Sequence, residues 1–116
     1  MTERDPNCLF CRIVVGEIPS DRLLEDDRVV VFRDVNPQAP THILAIPRVH
    51  VPSAAELTDE DGDLLAALFG ALRAVAEDAG LHDYRIVTNV GAGAGQSVFH
   101  LHFHLLAGRR LTWPPG

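Results

Sequence analysis

The chain has 116 residues, 47% hydrophobic and 22% charged, with a net charge of −6. That length supports one domain (residues 1–116) with its own core and no disulfide staples, and the composition is that of a soluble globular protein. The acidic balance argues against a general nucleic-acid-binding surface, though it leaves room for a local anion pocket.

The opening stretch, MTERDPNCLF, has no apolar signal core, and no apolar run approaches the ~18 residues of a membrane span. The expectation is a cytoplasmic protein with neither nucleic acid nor membrane as partner. DPNCLFCRIVVG reads as a short opening helix, with Asp5 or Asn7 as cap, Pro6 in the first turn and Gly16 at the exit. DRLLEDD and RVVVFRDV read as a hairpin turning at Glu25-Asp26-Asp27. Pro37 and Pro40 stiffen the NPQAP turn that follows.

THILAIP (41–47) is a third strand, with His42, Leu44 and Ile46 on one face and Ile43 and Ala45 on the other. The clearest helix spans 58–80. Thr58 with Asp61 forms a capping-box pattern, Leu64, Leu65, Leu68, Leu72, Val75 and Ala79 make its buried stripe, and Gly80 ends it. YRIVTNV (84–90) is a fourth strand, GAGAGQS (91–97) a glycine-rich turn and VFHLHFHLLAG (98–108) a fifth strand. Residues 109–116 form a tail. The order describes an α+β domain: a five-stranded antiparallel sheet with one principal helix packed on it.

Two features carry chemistry. The only cysteines, Cys8 and Cys11, form a C-x-x-C. No strand pattern precedes them, which disfavours a thioredoxin-like redox pair. Half a zinc site remains, needing two more ligands, as does a pair of small buried thiols.

The second feature is QSVFHLHFHLL. Strand periodicity puts His100, His102 and His104 on one face, expected to be open to solvent, and Leu101, Phe103 and Leu105 on the other, towards the helix. Three readings compete. The rings are half-buried polar residues without further role, or joint ligands of one metal, or a catalytic set. A shared metal is disfavoured, because Cα atoms four residues apart on a strand are ~13 Å apart, beyond easy reach of one zinc ion.

In the catalytic reading His102, the middle ring, is the nucleophile: with Nδ1–H held by a backbone carbonyl it would present a free Nε2 lone pair. Crowding disfavours multiple protonation, so one ring can stay neutral while another donates a proton. Gly91, Gly93 and Gly95, just upstream, can turn backbone N–H groups towards a phosphate. Gln96 and Ser97 add polar groups near a leaving group. The implied reaction is attack by His102 on phosphorus, followed by hydrolysis of a phospho-histidine intermediate.

The run His100-Leu-His102-Phe-His104-Leu-Leu106 matches the His-φ-His-φ-His-φ-φ signature of the histidine triad (HIT) family. GEIPS, NPQAPTHILAIPRVH, GQSVFHLHFHLLAGR and WPPG together resemble its Hint branch, the purine nucleoside phosphoramidases. The resemblance implies a HIT-like fold whose sheets join in a homodimer, with His102 as nucleophile and His104 contacting the phosphate and assisting proton transfer. It implies that His42 belongs to the same hydrogen-bonded group and that Asp34 binds the ribose hydroxyls. Asn89, Gly95, Gln96 and Ser97 would surround the phosphate and leaving group.

Phe32 would line the base pocket, and Trp113 in the tail would lie near the partner's active site. Some members carry an N-terminal C-x-x-C, which makes Cys8, Cys11, His50 and His100 a structural zinc set. The activity so implied is cleavage of a purine nucleoside 5′-monophosphate from an amine or similar leaving group. The rivals are a dinucleoside polyphosphate hydrolase and a nucleotide- or zinc-binding regulatory module.

Overall fold

A five-stranded antiparallel sheet, ordered β1-β2-β3-β5-β4, organises the computed structural model, which describes residues 4–116. The first three residues of the N-terminal stretch, and of the domain as bounded from sequence, lie outside the described residues. The elements are α1 (Leu9–Val14), β1 (Arg22–Glu25), β2 (Val29–Arg33), β3 (Thr41–Pro47), α2 (Gly62–Asp78), β4 (Tyr84–Val87) and β5 (Phe103–Ala107). No helix among the described residues is long and apolar enough to cross a membrane.

Local chemistry accounts for most boundaries. In the β1–β2 turn, Asp26 Oδ1 accepts from the backbone N–H of Arg28 and Val29, and this closes the hairpin at the expected acidic triplet. Thr58 and Asp61 form the reciprocal capping box. The chain enters the helix through a single 3-10 turn, so α2 proper starts at Gly62. Gly80, with φ +69°, terminates it in the left-handed region.

The helix buries Leu64, Leu68, Ala71, Leu72, Val75 and Ala76. Ala71 and Ala76 take the place expected for Ala79, which is exposed, because the stripe rotates slowly about a 3.6-residue helix and small residues fit closest to the sheet. Each large side chain fully buried here, such as Leu68, Leu72 or Leu105, contributes about 1.5–3 kcal/mol.

Several expectations about element ends are corrected. The cap of α1 is neither Asp5 nor Asn7 but Cys8, whose sulfur accepts from the backbone N–H of Cys11 at 3.4 Å. β4 ends at Val87 and not at 90. β5 begins at Phe103 and not at 98, so only His104 of the three histidines lies within a strand.

Register explains the late start of β5. Ala45 opposes Phe103, which would set Leu101 opposite Pro47. The Pro47 carbonyl, however, is taken by the His100 ring at 2.8 Å, and the Leu101 N–H turns to Val51 O at 2.6 Å. A side chain thus replaces a ladder bond.

The side-chain alternation survives this departure. Leu101, Phe103 and Leu105 join the core under α2. The opposite face is not open to solvent as expected: α1 covers part of it, and Phe10, Cys11 and Ile13 pack with Val30, Phe32, Leu44 and Ile46 in a second core. His100 and His102 are buried beneath that helix, at 0% and 5% exposure.

Candidate active site and metal centre

Across the α1 face of the sheet, Phe32 pairs with Leu44, Leu44 with His104, and His104 with Val87. This row runs from an apolar end to the histidines, since side chains directly opposed on neighbouring strands share a face. His42, two residues before Leu44, stands diagonally beside His104. α1 lies over the apolar end. Between them is a cavity of about 540 Å³, with Phe32, Leu44, Leu9 and Ile13 on its apolar side. Asp34, Ser97, Gly95, His42, His102 and His104 supply its polar side.

Backbone groups dictate the tautomers of His42 and His102, and His42 in turn dictates that of His104. The Gln38 N–H donates to His42 Nδ1 at 3.0 Å, so the His42 proton sits on Nε2. That nitrogen lies 2.9 Å from His104 Nδ1 and 3.4 Å from Asp34 Oδ2. His104 Nδ1 is then an acceptor, and its proton is on Nε2. His102 Nδ1 donates to the His100 carbonyl at 2.7 Å, which leaves a lone pair on Nε2. A neutral imidazole has one donor and one acceptor nitrogen. The pocket therefore holds one lone-pair nitrogen, from His102, beside one N–H donor, from His104, with ring centroids 4.9 Å apart.

Burial keeps the rings neutral. It pushes His104 down to about 4, helped by the neighbouring His102 and His42 rings. Burial also lowers His102 and His42, and the Asp34 carboxylate partly opposes both shifts. A neutral imidazole is the form that can attack an electrophile or pass a proton.

Other site residues fall in different places. Asp34 Oδ1 accepts from the Asn36 N–H at 2.9 Å, so this carboxylate both shapes the turn and faces the cavity. Gly95, with φ +98°, closes a 3-10 turn over Ala92–Ala94. Asn89 is half-buried against Gly95 and does not line the cavity. Gly93 has no positive φ.

Gln96 does not face the cavity. It is buried, Oε1 accepts from Gly91 N–H at 2.8 Å, and Nε2 donates to Pro52 O and Val98 O. Its amide holds the loop together, with both N–H donors committed to backbone carbonyls. Trp113 is 82% exposed and away from the cavity of its own chain. Arg85 Nη2 tethers the tail at Thr112 O.

Behind the cavity, Cys8, Cys11, His50 and His100 bring their donor atoms within 4.8 Å of one another. His100 Nδ1 is 3.4 Å from Cys8 Sγ and 3.5 Å from Cys11 Sγ, and His50 Nδ1 is 3.4 Å from Cys11 Sγ. Tetrahedral zinc, with Zn–S ~2.3 Å and Zn–N ~2.1 Å, sets sulfur and nitrogen donors ~3.6 Å apart. The donors fit that ion. The Nε2–H of His100 on Pro47 O fixes its Nδ1 as the metal-facing nitrogen. Burial raises the Cys11 thiol.

Sequence reasoning missed Phe10. Its ring stands edge-on to His102, with centroids 5.0 Å apart at 89°, and also meets His100 and Phe32. Phe10 and Ile13 recur at the i, i+3 spacing of a helix face, and that signal could have marked α1 as a wall of the site. The donor role of the Gln38 N–H carries no side-chain signal.

Comparison with known proteins is consistent across sequence and structure. Residues 7–111 match the family model described as the scavenger mRNA decapping enzyme C-terminal binding domain. The chain is 48% identical over 109 residues to an uncharacterized HIT-like protein of Synechocystis, covering 93% of this chain and 96% of that one. It is 45% identical over 115 residues to a 14 kDa zinc-binding protein of Zea mays, covering 97% and 90%. Among solved structures, a HIT family hydrolase from Legionella pneumophila superposes with a TM-score of 0.92 at 48% identity, over 95% of this chain and all of that one. A histidine triad protein from Clostridium difficile gives 0.90 at 40% identity, over 94% and 96%.

Proposed function

Because the chain belongs to the histidine triad family, whose relatives include hydrolases, we propose that it cleaves purine nucleoside 5′-monophosphates from an amine or similar leaving group. The reaction passes through a covalent nucleotidyl intermediate on His102. The observation that carries this reading is the 2.7 Å bond from His102 Nδ1–H to the His100 carbonyl, which leaves Nε2 as the free nucleophilic nitrogen. His102 Nε2 attacks the α-phosphorus while the neutral His104 donates its Nε2–H as a hydrogen bond to a phosphoryl oxygen. The bond to the leaving nitrogen breaks, and the departing amine takes up a proton from solvent. Water then attacks the nucleotidyl-imidazole, the phosphorus–Nε2 bond breaks to regenerate neutral His102, and the water's proton returns to solvent as the mononucleotide is freed. His42 holds His104 in the donor tautomer throughout.

The apolar side, with Phe32, takes the base, Asp34 the ribose hydroxyls, and Ser97 with Gly95 the phosphate and leaving group. Asn89 frames Gly95. Cys8, Cys11, His50 and His100 hold a structural zinc. The protein works as a cytoplasmic homodimer, with the exposed edge of β4 towards the second copy and Trp113 near the partner's site. A comparison of adenosine 5′-phosphoramidate with diadenosine polyphosphate as substrates tests the assignment. Preferential turnover of the phosphoramidate is expected, and a clear preference for the polyphosphate would replace this reading with its rival.

A further inference from the structure

We propose that His100 and Phe10 are positioning residues for His102, through which filling the Cys8–Cys11–His50–His100 cluster with zinc holds the His102 ring in its attacking orientation. This rests on the reading of His102 as nucleophile. His100 has three attachments and is completely buried. Its Nδ1 faces both thiols, its Nε2–H is on Pro47 O, and its main-chain carbonyl accepts the Nδ1–H of His102. The carbonyl that selects the His102 tautomer therefore belongs to a residue of the metal cluster, two positions away along the chain.

A second path runs through α1. The helix starts at its cap Cys8 and carries Phe10 and Cys11, so the sulfur donors bracket the ring that stands edge-on to His102. Six residues are too few to form a stable helix unaided. α1 is held by its buried face and by the Arg22 guanidinium on Ile13 O and Val14 O. Without a cation the cluster offers only weak sulfur contacts between α1 and the rest of the chain. Ligation would tie α1 to His50, just beyond β3, and to His100, just before β5. Phe10 and the His100 carbonyl then approach His102 from two directions in a fixed frame.

The test reads ring nitrogens without substrate. Long-range ¹H–¹⁵N spectra are recorded on the wild type loaded with Zn(II), on chelator-stripped wild type, and on a Cys8→Ser/Cys11→Ser variant. Loaded protein should show His102 as a single Nδ1–H tautomer, whereas both metal-free forms should show shifted resonances averaged between tautomers. Identical His102 resonances in loaded and stripped protein would overturn the coupling.

If metal-free protein does not fold, Phe10→Leu, which keeps all four ligands, carries the test. Zinc should remain stoichiometric and the nucleotide Kd should stay within about threefold, while kcat falls ~10-fold or more, the scale of a small misplacement of a reacting group, with tautomer averaging at His102. Unchanged kcat and unchanged spectra in zinc-loaded Phe10→Leu would overturn it. An unimpaired His102→Ala variant removes the nucleophile reading, whereas unchanged spectra remove the coupling, so the two failures are distinct.

Discussion

His42 and His104 are joined ring to ring, Nε2 to Nδ1 at 2.9 Å, and the Gln38 N–H behind His42 makes the bond directional. Only a His104 held as an Nδ1 acceptor presents its proton to the cavity. His42→Ala should free His104 to populate the other tautomer and lower kcat ~10- to 100-fold, the worth of a buried hydrogen bond of about 1–3 kcal/mol. His42→Gln, whose amide can still donate, should retain more activity. Steady-state kinetics of both variants on the phosphoramidate check this; equal losses would count against a donor role for His42.

The same burial makes stability depend on pH. His104 is held near 4 when folded and has an ordinary value of 6.5. Between those values the unfolded chain binds a proton that the folded chain refuses, so this contribution is complete above pH 6.5 and is lost as pH falls towards 4. The expected slope is at most about 1.4 kcal/mol per pH unit for one such proton. Urea midpoints measured across this window should fall with acid in the wild type and less steeply in His104→Gln. Parallel curves would show that His104 is not the group responsible.

Gln96 is a loop staple, with three hydrogen bonds from a buried amide. Gln96→Leu leaves the Gly91 N–H and the Pro52 carbonyl without it and should cost about 1–3 kcal/mol, seen as a lower urea midpoint at unchanged slope. A change within about 0.5 kcal/mol, typical of surface substitutions, would contradict that role.

Metal removal should destabilise the fold as well. A ligand that binds only the native state at 100 times its Kd adds about 2.7 kcal/mol. Zinc-loaded protein should therefore melt several degrees above the stripped form, with no such difference in Cys8→Ser/Cys11→Ser. A wild type whose melting point ignores zinc would argue against the site.

The strand over 41–47 and the hairpin at Glu25-Asp26-Asp27 were legible because alternation and turn chemistry are local. The alternating faces of 100–105 were legible too, but the solvent exposure of the histidines was not. Whether α1 folds over that face depends on long-range packing of Phe10, Cys11 and Ile13 against β2 and β3, which no local pattern encodes. The late start of β5 was hidden for a related reason: it depends on a ring capturing the carbonyl of Pro47, 53 residues away in sequence. Gln96 shows the limit of residue type as evidence, since an amide beside a glycine loop reads equally well as ligand contact or as scaffold.

The central claim is that His102 carries the nucleotide covalently. Rapid mixing with adenosine 5′-phosphoramidate, an alkaline denaturing quench and peptide mass spectrometry test it most directly. The account predicts a single nucleotidyl adduct on the peptide bearing His102, and neither adduct nor turnover in His102→Ala, which should still bind the mononucleotide. Wild-type turnover by His102→Ala, or an adduct on any other residue, would contradict it.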